Sequence, residues 1–352
     1  MTSTTFVLNG KKVLFTPGQS ILEAAQNGGV SIPTLCYLKN STATGACRIC
    51  LVEVSGARSL MAACSTPVSP GMEVFTETKR VHDARKLNVE LLLASGRHDC
   101  LVCEANGNCR LQDLAYFYKI TDLRFSREEK QYPTEDENPF IVRDFSKCIL
   151  CGRCVQACNE VVANRAISYG YRGKNSKIVT GGDRPYHDSE CVFCGQCVEV
   201  CPVGALTEKK AKGMGRPWET QKIRTTCPYC GVGCQQLLHV KDGRIAKVTA
   251  VEGAEPNRGR LCVKGRFGYD FIYSEDRLKR PLIRENGDFR EASWDEALDL
   301  VANKFREIID RDGPDAIAGV SSARSINEDS YQMQKLFRAV IGTNNIDHCA
   351  RT

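Results

Sequence analysis

Apolar and polar positions alternate at the start of the chain. Phe6 and Leu8 lead into Asn9-Gly10, and Val13 and Phe15 follow, a pattern that predicts a β-hairpin with a tight primed turn. Ser20-Ile-Leu-Glu23 is a capping box for a short helix that Gly28 can close. Val81, Ala84, Leu87, Leu91 and Leu92 recur at helical spacing and predict an amphipathic helix over Val81–Ala94. Alternation returns in Leu237-Leu238-His239-Val240, Asp242-Gly243 and Ile245–Val248, a second hairpin. Further on, a helix is expected around Asp299–Ile309, and Ile317–Val320 and Val340–Ile341 read as strand and helix pieces of an α/β core. Thr121–Phe140 is charged and carries Pro133 and Pro139, so it reads as a surface linker. Lys209–Thr220 (KKAKGMGRPWET) reads as a basic, solvated joint.

Composition changes this picture at one point. The 352 residues are 42% hydrophobic and 26% charged, which excludes a disordered or membrane-embedded chain. The longest apolar run, around Leu91–Ala94, is far short of the ~18 residues a membrane helix needs. Met1–Lys12 lacks the charged start and apolar stretch of a secretory signal, so a cytoplasmic location is expected. The net charge of +6 leaves room for anionic groups and does not indicate nucleic acid. Cysteine is the exception, with 20 residues. A chain of this length needs no disulfide staples, and thiols in a reducing compartment point to metal.

The cysteines form groups. Cys191-x2-Cys194-x2-Cys197-x3-Cys201-Pro202 is the bacterial iron–sulfur run in full. Cys148-x2-Cys151-x2-Cys154-x3-Cys158 repeats it, with Asn159 in place of proline. Cysteines repeated this tightly cannot all pair as disulfides. Zinc takes its four ligands from separated knuckles and does not need three thiolates in one short loop. Tandem runs of this kind exchange their fourth cysteines. One [4Fe-4S] site is therefore expected from Cys148, Cys151, Cys154 and Cys201, and a second from Cys191, Cys194, Cys197 and Cys158.

The other groups are less regular. Cys36-x10-Cys47-x2-Cys50-x13-Cys64 departs from the plant-type ferredoxin spacing, but it follows a hairpin and a helix as in a β-grasp [2Fe-2S] domain; zinc stays open for this group taken alone. Cys100-x2-Cys103-x5-Cys109 is a triplet in need of a fourth ligand. His98 is the nearest imidazole, His82 is the runner-up, and a plain surface histidine is the alternative to both. Cys227-Pro-Tyr-Cys230-Gly-Val-Gly-Cys234 is completed by Cys262, with Lys264 two residues on. Lys264 taken alone is an exposed lysine. Cys349 stands apart and is expected to be a core thiol.

Together these motifs resemble the large subunit of the cytoplasmic, NAD(P)- or ferredoxin-linked formate dehydrogenases, over the whole chain. Residues 1–120 are similar to the front end shared with the complex I large subunit and with [FeFe] hydrogenases. In that family the histidine stands four residues before the first cysteine of the triplet; here that position is Gly96, and His98 stands two before. Cys227 to Cys262-Val-Lys264-Gly-Arg resembles the opening of molybdenum/tungsten bis-pterin oxidoreductases. From residue 277 the chain resembles the start of their catalytic domain, with Arg280-Pro-Leu and Ser293-Trp294-Asp-Glu-Ala in place.

The resemblance implies an α+β multidomain iron–sulfur protein. Its parts are a β-grasp [2Fe-2S] domain (1–78), a His/Cys-ligated [4Fe-4S] domain (79–120) and a tandem ferredoxin-like [4Fe-4S] domain (138–210). The [4Fe-4S] domain of bis-pterin enzymes (220–276) and the start of an α/β molybdopterin oxidoreductase domain (277–352) follow. It implies one [2Fe-2S] and four [4Fe-4S] clusters, with Lys264 as an electron bridge between the 227–262 cluster and a pterin. The Mo or W bis-pterin guanine dinucleotide would belong to the full-length protein. The expected reaction is interconversion of formate and CO2. The expected partners are a diaphorase-type NAD(P)/flavin subunit, ferredoxin or hydrogenase subunits, with no nucleic acid and no membrane span.

The stretch Asn345-Ile-Asp-His-Cys349-Ala-Arg-Thr352 resembles the segment just before the metal-binding selenocysteine of such enzymes. The chain is therefore expected to stop there because a selenocysteine codon was read as a stop or because the sequence was cut at that point, and to lack a complete catalytic site. Other readings stay open: another bis-pterin oxidoreductase, a complex-I-like subunit, or a stand-alone iron–sulfur electron carrier.

Overall fold

A computed structural model describes residues 4–127 and 132–349. Parts of three expectations therefore lie outside the described residues: the chain start, the middle of the 121–140 linker, and the last three residues. The chain divides into two units, 1–221 and 222–352.

The first unit opens with β1 (Thr4–Leu8) and β2 (Lys11–Phe15), paired antiparallel with Phe6 opposite Val13. Asn9 and Gly10 both take positive φ, as a type I′ turn demands. Ser20 and Glu23 form the reciprocal capping box of α1 (Ile21–Asn27), and Gly28 ends it. With β3 (Leu51–Val54), β4 (Met61–Ala62) and β5 (Glu73–Phe75), the strands form one sheet in the order β2-β1-β5-β3-β4, with β1 and β5 parallel. Phe6, Leu8, Ile21, Leu22, Val52 and Val74 are buried between sheet and helix. Each such side chain contributes about 1.5–3 kcal/mol relative to exposure, enough in sum to hold the cysteine loops of this small domain.

Next comes α2 (Lys79–Ala94), capped by the Thr78 side chain. Its buried face is the expected one only in part: Val81 is buried and Ala84 and Leu92 are half-buried. Leu87 and Leu91 are exposed, whereas Val81, Arg85, Val89 and Glu90 are buried. The charged pair is tolerated inside because each side chain has a partner: Arg85 Nε donates to the Leu51 carbonyl at 2.9 Å, and Glu90 accepts from Arg124 Nε at 2.7 Å. Then follow α3 (Arg110–Phe117), β6 (Ile141–Arg143), α4 (Arg153–Gln156), β7 (Ile167–Gly170), β8 (Lys177–Thr180), α5 (Gln196–Val200) and β9 (Leu206–Glu208). β6 pairs with β9, and β7 with β8, both antiparallel. α4 widens into a π turn over Ala157–Val161 that carries Cys158.

One apolar core joins the first three cysteine regions. Leu35, Ile49, Val89, Leu111, Ile149 and Val203 pack together with Cys36, Cys47, Cys109, Cys148, Cys151 and Cys201. The 209–220 segment is not a solvated joint. Arg216 donates to the carbonyls of Leu101 and Cys103, and Trp218 stacks where a side chain at Gly107 would stand. Its basic and aromatic residues find carbonyls and a bare glycine on the 100–109 loop, contacts that a local reading of composition does not reveal.

The second unit contains β10 (Gln221–Thr226), β11 (Gln235–Lys241) and β12 (Arg244–Ala250) in one sheet. Asp242 and Gly243 turn the predicted hairpin. α6 (Val263–Phe267) follows, then the β13 (Leu282–Glu285) and β14 (Asp288–Glu291) hairpin and α7 (Trp294–Asp312). β15 (Gly319–Ser321), α8 (Asn327–Lys335) and β16 (Ile346–His348) complete it, with β15 and β16 parallel. Ile317, Phe337 and Ile341 form a small core against Phe305 and Ile309, while Val320 and Val340 are exposed. Cys349 is exposed, not a core thiol, with its sulfur 3.6 Å from Ser322 Oγ. It follows directly on the two-stranded β15–β16 pairing. Among the described residues no helix is long and apolar enough to cross a membrane.

Candidate iron–sulfur cluster sites

All twenty cysteines are free of disulfides. Among the described residues no group of three or more His, Cys, Asp or Glu side chains is arranged to hold a single metal ion. The sulfurs instead gather around recesses.

The two duplicated runs fold alike because their glycines and one residue before them do the same thing. Gly152 and Gly195 both stand in the left-handed region and start α4 and α5; Leu150 and Phe193, each two residues upstream, also take positive φ. Such backbone is costly for non-glycine residues and clusters at functional loops. It turns amides inward: Leu150 N–H lies 3.4 Å from Cys148 Sγ, and Phe193 N–H lies 3.4 Å from Cys191 Sγ.

The last cysteine of the second run meets the first run: Cys148, Cys151, Cys154 and Cys201 line one recess. Cys158 acts electrostatically on Cys191 and Cys197, alongside Cys194. Burial above all, with neighbouring sulfurs adding to it, pushes up Cys151, Cys154, Cys191, Cys197 and Cys201. Cys151 and Cys197 reach about 12 and Cys201 about 11. Buried thiols crowded in this way become thiolates only if positive charge arrives with them. The donor chemistry therefore fits a multi-iron group, whose cations supply that charge.

Cys36, Cys47, Cys50 and Cys64 lie within hydrogen-bonding reach of one another. Hydrogen bonds from Cys47 and Cys64 pull Cys36 down, and the same bonds push its partners up. Cys100, Cys103 and Cys109 line a recess together with His98. The His98 Nε2 atom lies 3.2 Å from the Leu92 carbonyl, and burial lowers the basicity of the ring. Gly96 cannot carry the imidazole. A Cβ there would come within 2.5 Å of the Ser146 carbonyl and 3.3 Å of His98 Nε2, so the His98 ring fills that space. His82 stacks edge-to-face on Tyr118, with ring centroids 4.9 Å apart. In the second unit, Cys227, Cys230, Cys234 and Cys262 are close enough to influence one another electrostatically, and Cys227 N–H donates to the Cys234 carbonyl at 2.8 Å. Lys264 sits on α6, exposed, with its carbonyl accepting from Gly268 N–H.

Family descriptions match these segments in order. Residues 1–79 match a 2Fe-2S iron–sulfur cluster binding domain, and 85–124 match the NADH-ubiquinone oxidoreductase-G iron–sulfur binding region. Residues 147–205 match a 4Fe-4S dicluster domain, 220–274 the molybdopterin oxidoreductase Fe4S4 domain, and 277–352 the molybdopterin oxidoreductase domain. From residue 220 on, the chain is thus similar to molybdopterin oxidoreductases. The layout is the α+β succession expected from the motifs: cluster modules first, then the start of the pterin-enzyme domain.

Among similar proteins, the NADPH-Fe(3+) oxidoreductase subunit alpha of Geobacter sulfurreducens is 39% identical over 98% of this chain and 40% of its own length. A Staphylococcus aureus protein provisionally named a formate dehydrogenase is 35% identical over 98% of this chain and 39% of its own. A crystal structure of a NAD+-reducing [NiFe]-hydrogenase in the H2-reduced state matches with a TM-score of 0.57 at 34% identity, covering 60% of this chain and 90% of the matched one. The chain spans about 40% of the length of the curated relatives it matches.

Sequence reasoning missed several residues around these sites. Val203 lines both the tandem-run cavity and the triplet recess, and Gly204 abuts Cys103. Arg143 is buried, pairs with Glu135 and lies 4.0 Å from the Tyr186 ring, whose hydroxyl faces Cys197 Sγ at 4.0 Å. Arg153 is buried inside the first run. A charged residue placed between cysteines two apart is the signal that could have found Arg153; nothing local marks Val203 or Gly204.

Proposed function

We propose that this chain is the electron-conducting front of a molybdopterin oxidoreductase. The carrying observation is the convergence of the cysteine groups, two of them crossed between distant runs, around recesses whose thiols need cations. The proposed ligand sets are Cys36, Cys47, Cys50 and Cys64 for a [2Fe-2S] cluster, and four sets for [4Fe-4S] clusters. These four are His98 with Cys100, Cys103 and Cys109; Cys148, Cys151 and Cys154 with Cys201; Cys191, Cys194 and Cys197 with Cys158; and Cys227, Cys230 and Cys234 with Cys262. When bound, such clusters take up and release single electrons. The chain's own residues supply thiolates, amide donors to them, and an apolar core that keeps water away. Lys264 is proposed to contact the pterin in the whole protein.

The proposed partner is an NAD(P)-linked diaphorase or hydrogenase subunit, in keeping with the names of the Geobacter relative and the hydrogenase structure. Formate is the proposed substrate of the whole protein, supported by the Cys227–Arg266 resemblance and the Staphylococcus relative. The Geobacter name favours NADPH as electron source instead. Anaerobic addition of each to the holoenzyme containing this chain separates the readings: formate alone should bleach the clusters' visible absorbance under the first, and NADPH alone under the second. For the clusters, reconstituted chain should carry about 18 irons and about as many sulfides. Stoichiometric zinc with little iron would refute the reading.

His98 has its own test. Its Nε2 is turned to a carbonyl, which leaves Nδ1 as the nitrogen for a metal. His98→Ala should abolish or strongly alter one [4Fe-4S] paramagnetic signal, and His98→Cys should restore it at lower potential. His82→Ala should leave that signal in place; the reverse pattern would transfer the role to His82.

A further inference from the structure

Arg153 stands in the middle of the Cys148–Cys158 run, and its side chain is buried with 7% of its surface exposed. Its Nε and Nη1 atoms have no acceptor. A guanidinium cannot shed its proton to escape this, and a buried unpaired cation is strongly unfavourable. No carboxylate among the described residues pairs with it. The other buried arginine near the tandem sites, Arg143, has Glu135. Its charge is felt first by the Arg110 cation, and then by Cys151 and Cys201 of one proposed cluster and by Cys36 of another. Its backbone N–H donates to Cys151, so the residue cannot swing away from the loop. An anion held by these cysteines would supply the acceptor that Nε and Nη1 lack.

We propose that Arg153 is a positioning residue shared by two clusters. Its N–H groups donate to cluster sulfur, and its charge holds both the Cys148/Cys151/Cys154/Cys201 centre and the Cys36/Cys47/Cys50/Cys64 centre at a higher reduction potential. Reduction adds negative charge, and a fixed cation close by favours the reduced state. One guanidinium thus serves two centres whose ligands come from opposite ends of the first unit. This inference rests on the ligand sets proposed above.

The experiment is an EPR-monitored redox titration of the reconstituted full chain. Arg153→Gln should move both midpoints to more negative values, by about tenfold in the reduction equilibrium, or about 59 mV for a one-electron couple. Arg153→Lys should recover most of that shift, and Lys12→Gln, on the exposed first hairpin, should cause none. Unmoved midpoints in R153Q with full iron overturn the proposal, as does R153K shifting as far as R153Q. If R153Q loads no iron, pulsed EPR of [15N]arginine-labelled native chain decides. A guanidinium nitrogen coupled to a reduced cluster, and lost in R153K, supports it; no such coupling overturns it. Native chain that takes up no iron at all defeats the ligand sets rather than the role of Arg153.

Discussion

Serine at Cys201 should damage the same cluster as serine at Cys148, although Cys201 belongs to the other run. Cys201 shares its cavity with Cys148, Cys151 and Cys154. Cys158 is instead felt by Cys191 and Cys197. C148S and C201S should therefore give matching EPR spectra, each having lost or altered one and the same [4Fe-4S] signal, with up to about four irons missing. C158S and C191S should match each other and differ from that pair. The double variant C148S/C201S should be no worse than either single change, because both strike one centre, while C148S/C158S should lose two. Pairing within each run would make C201S match C191S instead, and that outcome would overturn the crossed assignment.

A methyl group at residue 204 should extinguish a cluster whose cysteines lie about a hundred positions earlier. The Cβ of Gly204→Ala would stand 2.5 Å from Cys103 Sγ and 3.3 Å from the Ala105 Cβ. A thiol held by iron cannot move aside as a free side chain can. Either Cys103 leaves its position or the 203–205 strip shifts into the neighbouring cavity, at an overpacking cost of about 1–3 kcal/mol. G204A should lose the signal of the Cys100/Cys103/Cys109 centre, and Gly204→Val should lose it more completely. Gly181→Ala is the control, since a Cβ there meets nothing within 4 Å and needs no left-handed backbone. Full iron and an unchanged EPR spectrum in G204V would show that this close approach does not matter.

The local sequence was read well wherever one turn or one short loop carries the information. Asn9-Gly10 and Asp242-Gly243 make their hairpins because positive φ is needed at two adjacent positions and few residue pairs accept it. Ser20 and Glu23 cap α1 with each other. The readings that failed concern what lies across the fold. Val81 lies on the buried face of α2 as its spacing predicts, but Leu87 and Leu91 are exposed, and Arg85 and Glu90 are buried with the Leu51 carbonyl and Arg124 as partners. The 209–220 segment looked solvated, yet Arg216 and Trp218 close over the 100–109 loop. Cys349 looked like a core thiol, and β15–β16 leaves it at the surface.

Amino-acid order alone determined which thiols form groups, because a tight loop can present sulfur to a cluster only at a few short spacings, and those spacings are written along the chain. It determined the succession of modules for the same reason. Only the tertiary structure decided how the groups meet: that Leu35, Ile49, Leu111 and Val203 bury three cysteine regions in one core, and that Val203 and Gly204 form the wall between two of them. It also decided that the buried Arg153 would act electrostatically on Cys36 as well as on Cys151 and Cys201. Burial and the electrostatics of unpaired charge depend on neighbours distant in sequence, and those neighbours are chosen by packing rather than by spacing.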